Sequence, residues 1–172
     1  MKKPLFYAAA IAAAFLLQNN LFAACPLIRT TPNLLLILTF VTAFIAGSRD
    51  GMLVGFFSGL LLDAFFGGNV GFYAMIYMAV GYVNGYGGKY FYRDFVTAPV
   101  LLCVLSDLAF GMMVYIFSFL LKGRLSFMHY FMSIILPETV YTAFITFIVY
   151  KPLLKLEERA LESGKRSAKH FV

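Results

Sequence analysis

At 172 residues, 62% of them hydrophobic and only 13% charged, the chain has too little polar surface for a water-soluble domain. A mean hydropathy of +0.84 and several apolar runs near the ~20 residues that cross ~30 Å of hydrocarbon predict a polytopic membrane protein. The runs are continuous rather than alternating, which selects helices over a barrel, and the net charge of +6 lies mainly in ends and loops, where it meets anionic headgroups rather than nucleic acid.

In chain order the apolar runs predict six spans, near Pro4 to Ala24, Asn33 to Ala46, Gly51 to Phe66, Gly71 to Gly87, Phe95 to Leu121 and Tyr130 to Tyr150. The expected fold is an all-α integral membrane protein: one six-helix bundle over residues 1–150, followed by a basic cytoplasmic tail over residues 151–172. The second and third spans are short, reaching only about 21 and 24 Å at ~1.5 Å per residue. They either cross a thinned bilayer or form a partly re-entrant pair, turned at Gly47-Ser48-Arg49-Asp50-Gly51; Pro32 and Gly67-Gly68-Asn69 supply turn chemistry at their far ends and favour crossing.

The first span opens with Lys2-Lys3 and closes on Phe22-Ala23-Ala24-Cys25, which has the outline of a cleaved lipoprotein signal. Gln18-Asn19-Asn20 interrupts it and five further spans follow, so a retained helix is expected. The third span carries Gly51, Gly55 and Gly59 at steps of four, with Asp63 next along the same row. Such a strip lets another helix approach closely, either a span of this chain or the helix of a partner protein. Gly81 and Gly85 repeat the spacing in the fourth span, beside Asn84.

Asp63, Asp107 and Glu138 are the acids that lie within apolar runs. A carboxylate in hydrocarbon costs several kcal/mol unless it is paired, neutralised or turned to an interior, so each marks an inward face or a functional site. Asp107 shares a face with Cys103 and Gly111, and Glu138 follows Pro137 and continues through Thr142 and Thr146. The two acids are expected to pair across the bundle or, as the functional alternative, to serve a proton or cation relay.

Enzyme chemistry finds no support. His129 and His170 fall outside the spans, no Gly-x-x-x-x-Gly-Lys loop is present, and no cofactor or metal set can be assembled. Cys25 and Cys103 sit at different depths and are read as two thiols. In the tail, Leu153, Leu156, Ala160 and Leu161 share one helical face, and Gly164 is the expected stop. With the N-terminus in the cytoplasm, Lys2, Lys3, Arg49, Lys89, Arg93, Lys151, Lys155, Arg159, Lys165, Arg166 and Lys169 lie inside and only Arg29, Lys122 and Arg124 outside. The positive-inside rule therefore puts both termini in the cytoplasm.

A resemblance is carried by Pro32-Asn33-Leu34-Leu35-Leu36-Ile37, by Gly55-Phe56-Phe57-Ser58-Gly59-Leu60-Leu61-Leu62-Asp63 with Gly67-Gly68-Asn69-Val70-Gly71-Phe72-Tyr73-Ala74, by Gly81-Tyr82, and by Tyr150-Lys151-Pro152-Leu153-Leu154. With these the chain resembles the MreD family of rod shape-determining proteins over nearly its whole length. The resemblance implies a non-enzymatic scaffold of cell-wall elongation in the bacterial inner membrane. It also implies MreC as partner, with MreB, RodA and an elongation-specific penicillin-binding protein in the same machinery. A further implication is a likeness to the substrate-binding subunits of energy-coupling-factor transporters. The alternative function is therefore a small-solute carrier, with Tyr73, Tyr77 and Asn69 lining a cavity that opens outward.

Overall fold

A computed structural model describes residues 2–22, 31–66, 71–88, 97–118 and 127–169, and these are helical apart from short connections. In order they form α1 (Lys2–Leu16) with a π-helical turn π1 (Leu17–Phe22), α2 (Leu34–Ala46), α3 (Ser48–Phe66), α4 (Phe72–Gly87), α5 (Thr97–Ser118), α6 (Phe127–Tyr130), a second π-helical turn π2 (Phe131–Ile135) and α7 (Leu136–Lys169). α6, π2 and α7 follow one another without a break, so the described chain makes six helical rods.

α2 is the axis of the bundle. Eleven of its 13 residues are buried, and α1, α3, α4, α5 and α7 all pack on it. This central position explains its brevity: a helix wrapped by protein need not match the bilayer thickness by itself. Around it, large apolar side chains turn outward on the peripheral rods, among them Leu53, Phe57 and Phe65 on α3, Met75 and Val83 on α4, Leu101 and Leu105 on α5, and Phe144 and Phe147 on α7. The buried set, in turn, includes Asn33, Thr39, Thr42, Asp63, Asn84, Asp107, Thr142 and Thr146. Polar groups inside and apolar groups outside are the arrangement that suits hydrocarbon surroundings.

Two sequence expectations change. Ser48-Arg49-Asp50 is not a turn but the first turn of α3, which lengthens that helix to 19 residues; only Gly47 remains as the connection, with φ of 100°. That conformation costs glycine little, and one residue suffices to reverse the chain. Gly164 does not stop the last helix, because the backbone of α7 continues to Lys169 and Pro152 is accommodated within it. By length and hydropathy, two described segments are long and apolar enough to cross a membrane, Thr97–Phe117 and Phe127–Leu156. The other rods fall short because they are brief or carry the glycines and polar groups that pack the interior.

Candidate functional site

The glycine strip has a definite neighbour. A Cβ on Gly51 would strike Ala43 and the Gly81 carbonyl, one on Gly55 would strike the Tyr77 carbonyl, and one on Gly59 would strike the Tyr73 carbonyl and Ala74. From the other side, a Cβ on Gly81 would meet the backbone of Gly51 and one on Gly85 would meet Ser48. As the α3 number rises the α4 number falls in step, so the two rods form an antiparallel seam with backbones almost in contact. The strip is therefore filled by α4, and a partner's helix cannot enter it.

Asp63 closes this seam. Its Oδ2 accepts the N–H groups of Gly71 and Ala74 and its Oδ1 that of Tyr73, all at 3.0 Å. These are donors left free at the start of α4, and a carboxylate there also complements the positive end of the helix dipole. Gly71, with φ of 99°, makes the tight entry that brings them together. Asp63 is thus a helix cap reaching from one rod to the next, and its burial is satisfied.

The other end-capping system is built around Asn33. Its Oδ1 accepts from the Leu36 N–H at 3.1 Å and from the Tyr77 hydroxyl, while its own N–H donates to Thr142 Oγ1 at 3.1 Å. Gln18 Oε1 receives the Leu35 N–H at 3.3 Å. The start of α2 is therefore held by side chains from π1, α4 and α7. Below it a polar column continues along α7, where Thr146 Oγ1 donates to the Thr142 carbonyl at 2.6 Å and lies 3.5 Å from Cys103 Sγ on α5.

Asp107 lies beside this column. Asn33, Thr139 and Thr142 surround its carboxylate, yet neither oxygen makes a hydrogen bond of good geometry among the described residues. Glu138, one turn earlier on α7 than Thr142, lies within electrostatic reach of Asp107 and of Tyr73, Tyr77 and Tyr130. The two acids thus share a neighbourhood, but no hydrogen bond joins them. The direct pairing expected from sequence is not present as a hydrogen bond among the described residues, although each acid lies in the other's electrostatic neighbourhood.

Glu138 also lines a cavity of about 270 Å³. The other described residues of the wall are Gln18 and Asn19 on π1, Asn33, Leu62 and Phe66 on α3, Tyr73 and Tyr77 on α4, Phe110 and Val114 on α5, and Tyr130. Both π-helical turns border it, π1 directly and π2 between Tyr130 and Glu138. A π turn rotates the residues after it relative to an α-helix, and such turns recur at functional sites. Next to π2 the proline at 137 gives a physical reason, since its missing N–H and bulky ring disfavour regular i to i−4 bonding.

Tyr73 and Tyr77 therefore line a cavity as expected, whereas Asn69 and Cys25 lie outside the described residues. Gln18, Asn19, Asn33 and Tyr130 were not anticipated as lining. The signal for the first two was visible as an amide cluster interrupting an apolar run. Among the described residues no group of three or more His, Cys, Asp or Glu could hold a metal ion.

The family model of the rod shape-determining protein MreD matches residues 4–159. No curated protein and no solved structure matches the chain. The match takes in the α3–α4 seam, its Asp63 cap and the cavity at Glu138, together with the outward apolar surface that suits a bilayer, and on its extent the chain belongs to the MreD family of rod shape-determining proteins.

Proposed function

We propose that the chain is a non-enzymatic scaffold of the bacterial cell-wall elongation machinery, seated in the inner membrane with six spans over residues 1–150 and both termini in the cytoplasm. It binds MreC and links the MreB cytoskeleton to RodA and an elongation-specific penicillin-binding protein. The family match over residues 4–159 carries this reading. The packed α2–α3–α4 unit supports it physically, because a rigid centre lets the outward faces of the peripheral rods hold fixed positions toward other membrane helices. With the glycine strip filled by α4, the MreC contact falls on those outward faces rather than on Gly51, Gly55 and Gly59. The tail over residues 151–172, rich in Lys and Arg, docks on anionic headgroups.

Co-purification from native membranes tests this. Recovery of an MreC-like protein and the synthase pair is the expected outcome. Recovery of a transport ATPase pair instead would establish the second reading, a carrier subunit of the energy-coupling-factor type, which the cavity beside Tyr73 and Tyr77 favours.

A further inference from the structure

The cavity at Glu138 has a wall whose chemistry narrows its occupant. Glu138 is the acid in the wall, and no Lys or Arg lines it among the described residues. Asp107, 2% exposed and without a hydrogen bond of good geometry among the described residues, is a second acid within electrostatic reach of Glu138. Two neighbouring acids with no lining cation among the described residues offer an anionic ligand nothing to pair with, and one wall carboxylate is too few for Ca²⁺ or Mg²⁺, which takes six or more oxygen ligands. A monovalent organic cation meets neither objection.

The rings point the same way. Tyr73 and Tyr130 lie in the field of Glu138, and Phe110 stands edge-on to Tyr77 at 5.2 Å between centroids. Aromatic faces beside a carboxylate attract an ammonium by cation–π and charge-assisted contact together. Gln18 spends its oxygen on the Leu35 N–H, which leaves its amide NH₂ to donate to a ligand hydroxyl. At about 270 Å³ the space falls below the ~300–1,000 Å³ of ordinary drug-sized sites, so the occupant is small.

We propose that this cavity binds a small hydroxylated organic ammonium, its nitrogen on Glu138 between the rings of Tyr73 and Tyr130 and its hydroxyl oxygen on the Gln18 amide. The source is either a free amino alcohol or the headgroup of an amine-bearing lipid. The site does not depend on the scaffold reading, since binding and partner recovery are separate measurements.

The test uses the full chain in phosphatidylglycerol nanodiscs and radiolabelled ethanolamine in equilibrium dialysis. Saturable binding at one per chain is expected, with no competition from ethylene glycol, which keeps the shape and lacks the charge. This comparison needs no variant. Glu138→Gln, checked for folding by thermal unfolding, should weaken binding at least about tenfold, the scale of a charge-assisted hydrogen bond. Nanodiscs containing phosphatidylethanolamine then separate the sources: retention of that lipid over phosphatidylglycerol in native mass spectrometry identifies the headgroup, and its absence with ethanolamine still bound identifies the free amine. The proposal is overturned by failure of both ligands to bind, by equal competition from ethylene glycol, or by unchanged binding in folded Glu138→Gln. It is also overturned if neither ligand binds and Arg29→Gln or Arg124→Gln lowers the melting temperature as Glu138→Gln does, because a loop cation would then be the partner of Glu138.

Discussion

Asp63 and Asp107 are both buried acids, yet their surroundings assign them opposite characters. Asp63 accepts three backbone N–H groups, so its charge is matched by donors that would otherwise be stranded at the start of α4. Among the described residues Asp107 has no such donor. Removing the first therefore strands several buried groups, which costs about 1–3 kcal/mol for the first of them. Asp63→Ala is expected to lower stability by roughly 2 kcal/mol or more, read as a reduced melting temperature in detergent, with Asp63→Asn between it and the parent because one oxygen remains. Wild-type stability of Asp63→Ala would show that the cap contributes nothing.

At the scale of elements, the α3–α4 seam depends on the absence of side chains. Close backbone approach maximises van der Waals contact, which drives helix association in lipid where no hydrophobic effect acts between helices. Gly55→Leu and Gly59→Leu would place a branched side chain where the α4 carbonyls already lie. Both are expected to lose abundance and at least about 1–3 kcal/mol of stability, the range for overpacking. Gly111→Ala should be much milder, since the nearest atoms to its Cβ belong to the Ile135 side chain, at 3.1 Å, rather than to backbone. The measurement is thermal unfolding together with MreC recovery. Folded Gly55→Leu and Gly59→Leu proteins of normal stability that lose MreC would return the partner to this face.

For the whole molecule, contacts collect the start of α1, the start of α3 and the end of α4 at one end, where Tyr7 lies 3.5 Å from Asp50 and Gly85 packs on Ser48. The cavity lies at the other end, with π1, the end of α3 and the start of α7. In the proposed orientation, which rests on the Lys and Arg asymmetry, the first end is the cytoplasmic one. Cysteine substitutions near Lys89 and Lys165 should therefore resist impermeant thiol reagents in intact cells while those near Lys122 react. The reverse pattern would invert the bundle and turn the Glu138 cavity inward.

Composition and hydropathy by themselves determined a helical membrane protein, because the energetics of hydrocarbon act on each segment separately and leave their mark in local sequence. The four-residue spacing of Gly51, Gly55 and Gly59 likewise marked a close-packed face, since helix periodicity is a local property. Only the tertiary structure decided what fills that face, that α2 is the buried axis, and that Asp63 caps a neighbouring helix while Glu138 enters a cavity. Those outcomes depend on the angular phase of one rod against another. Two π turns reset that phase at Leu17–Phe22 and Phe131–Ile135, and apolar runs of nearly uniform hydropathy carry no record of it. Gln18, Asn33, Tyr130 and Glu138, far apart in the chain, meet only after those rotations are made.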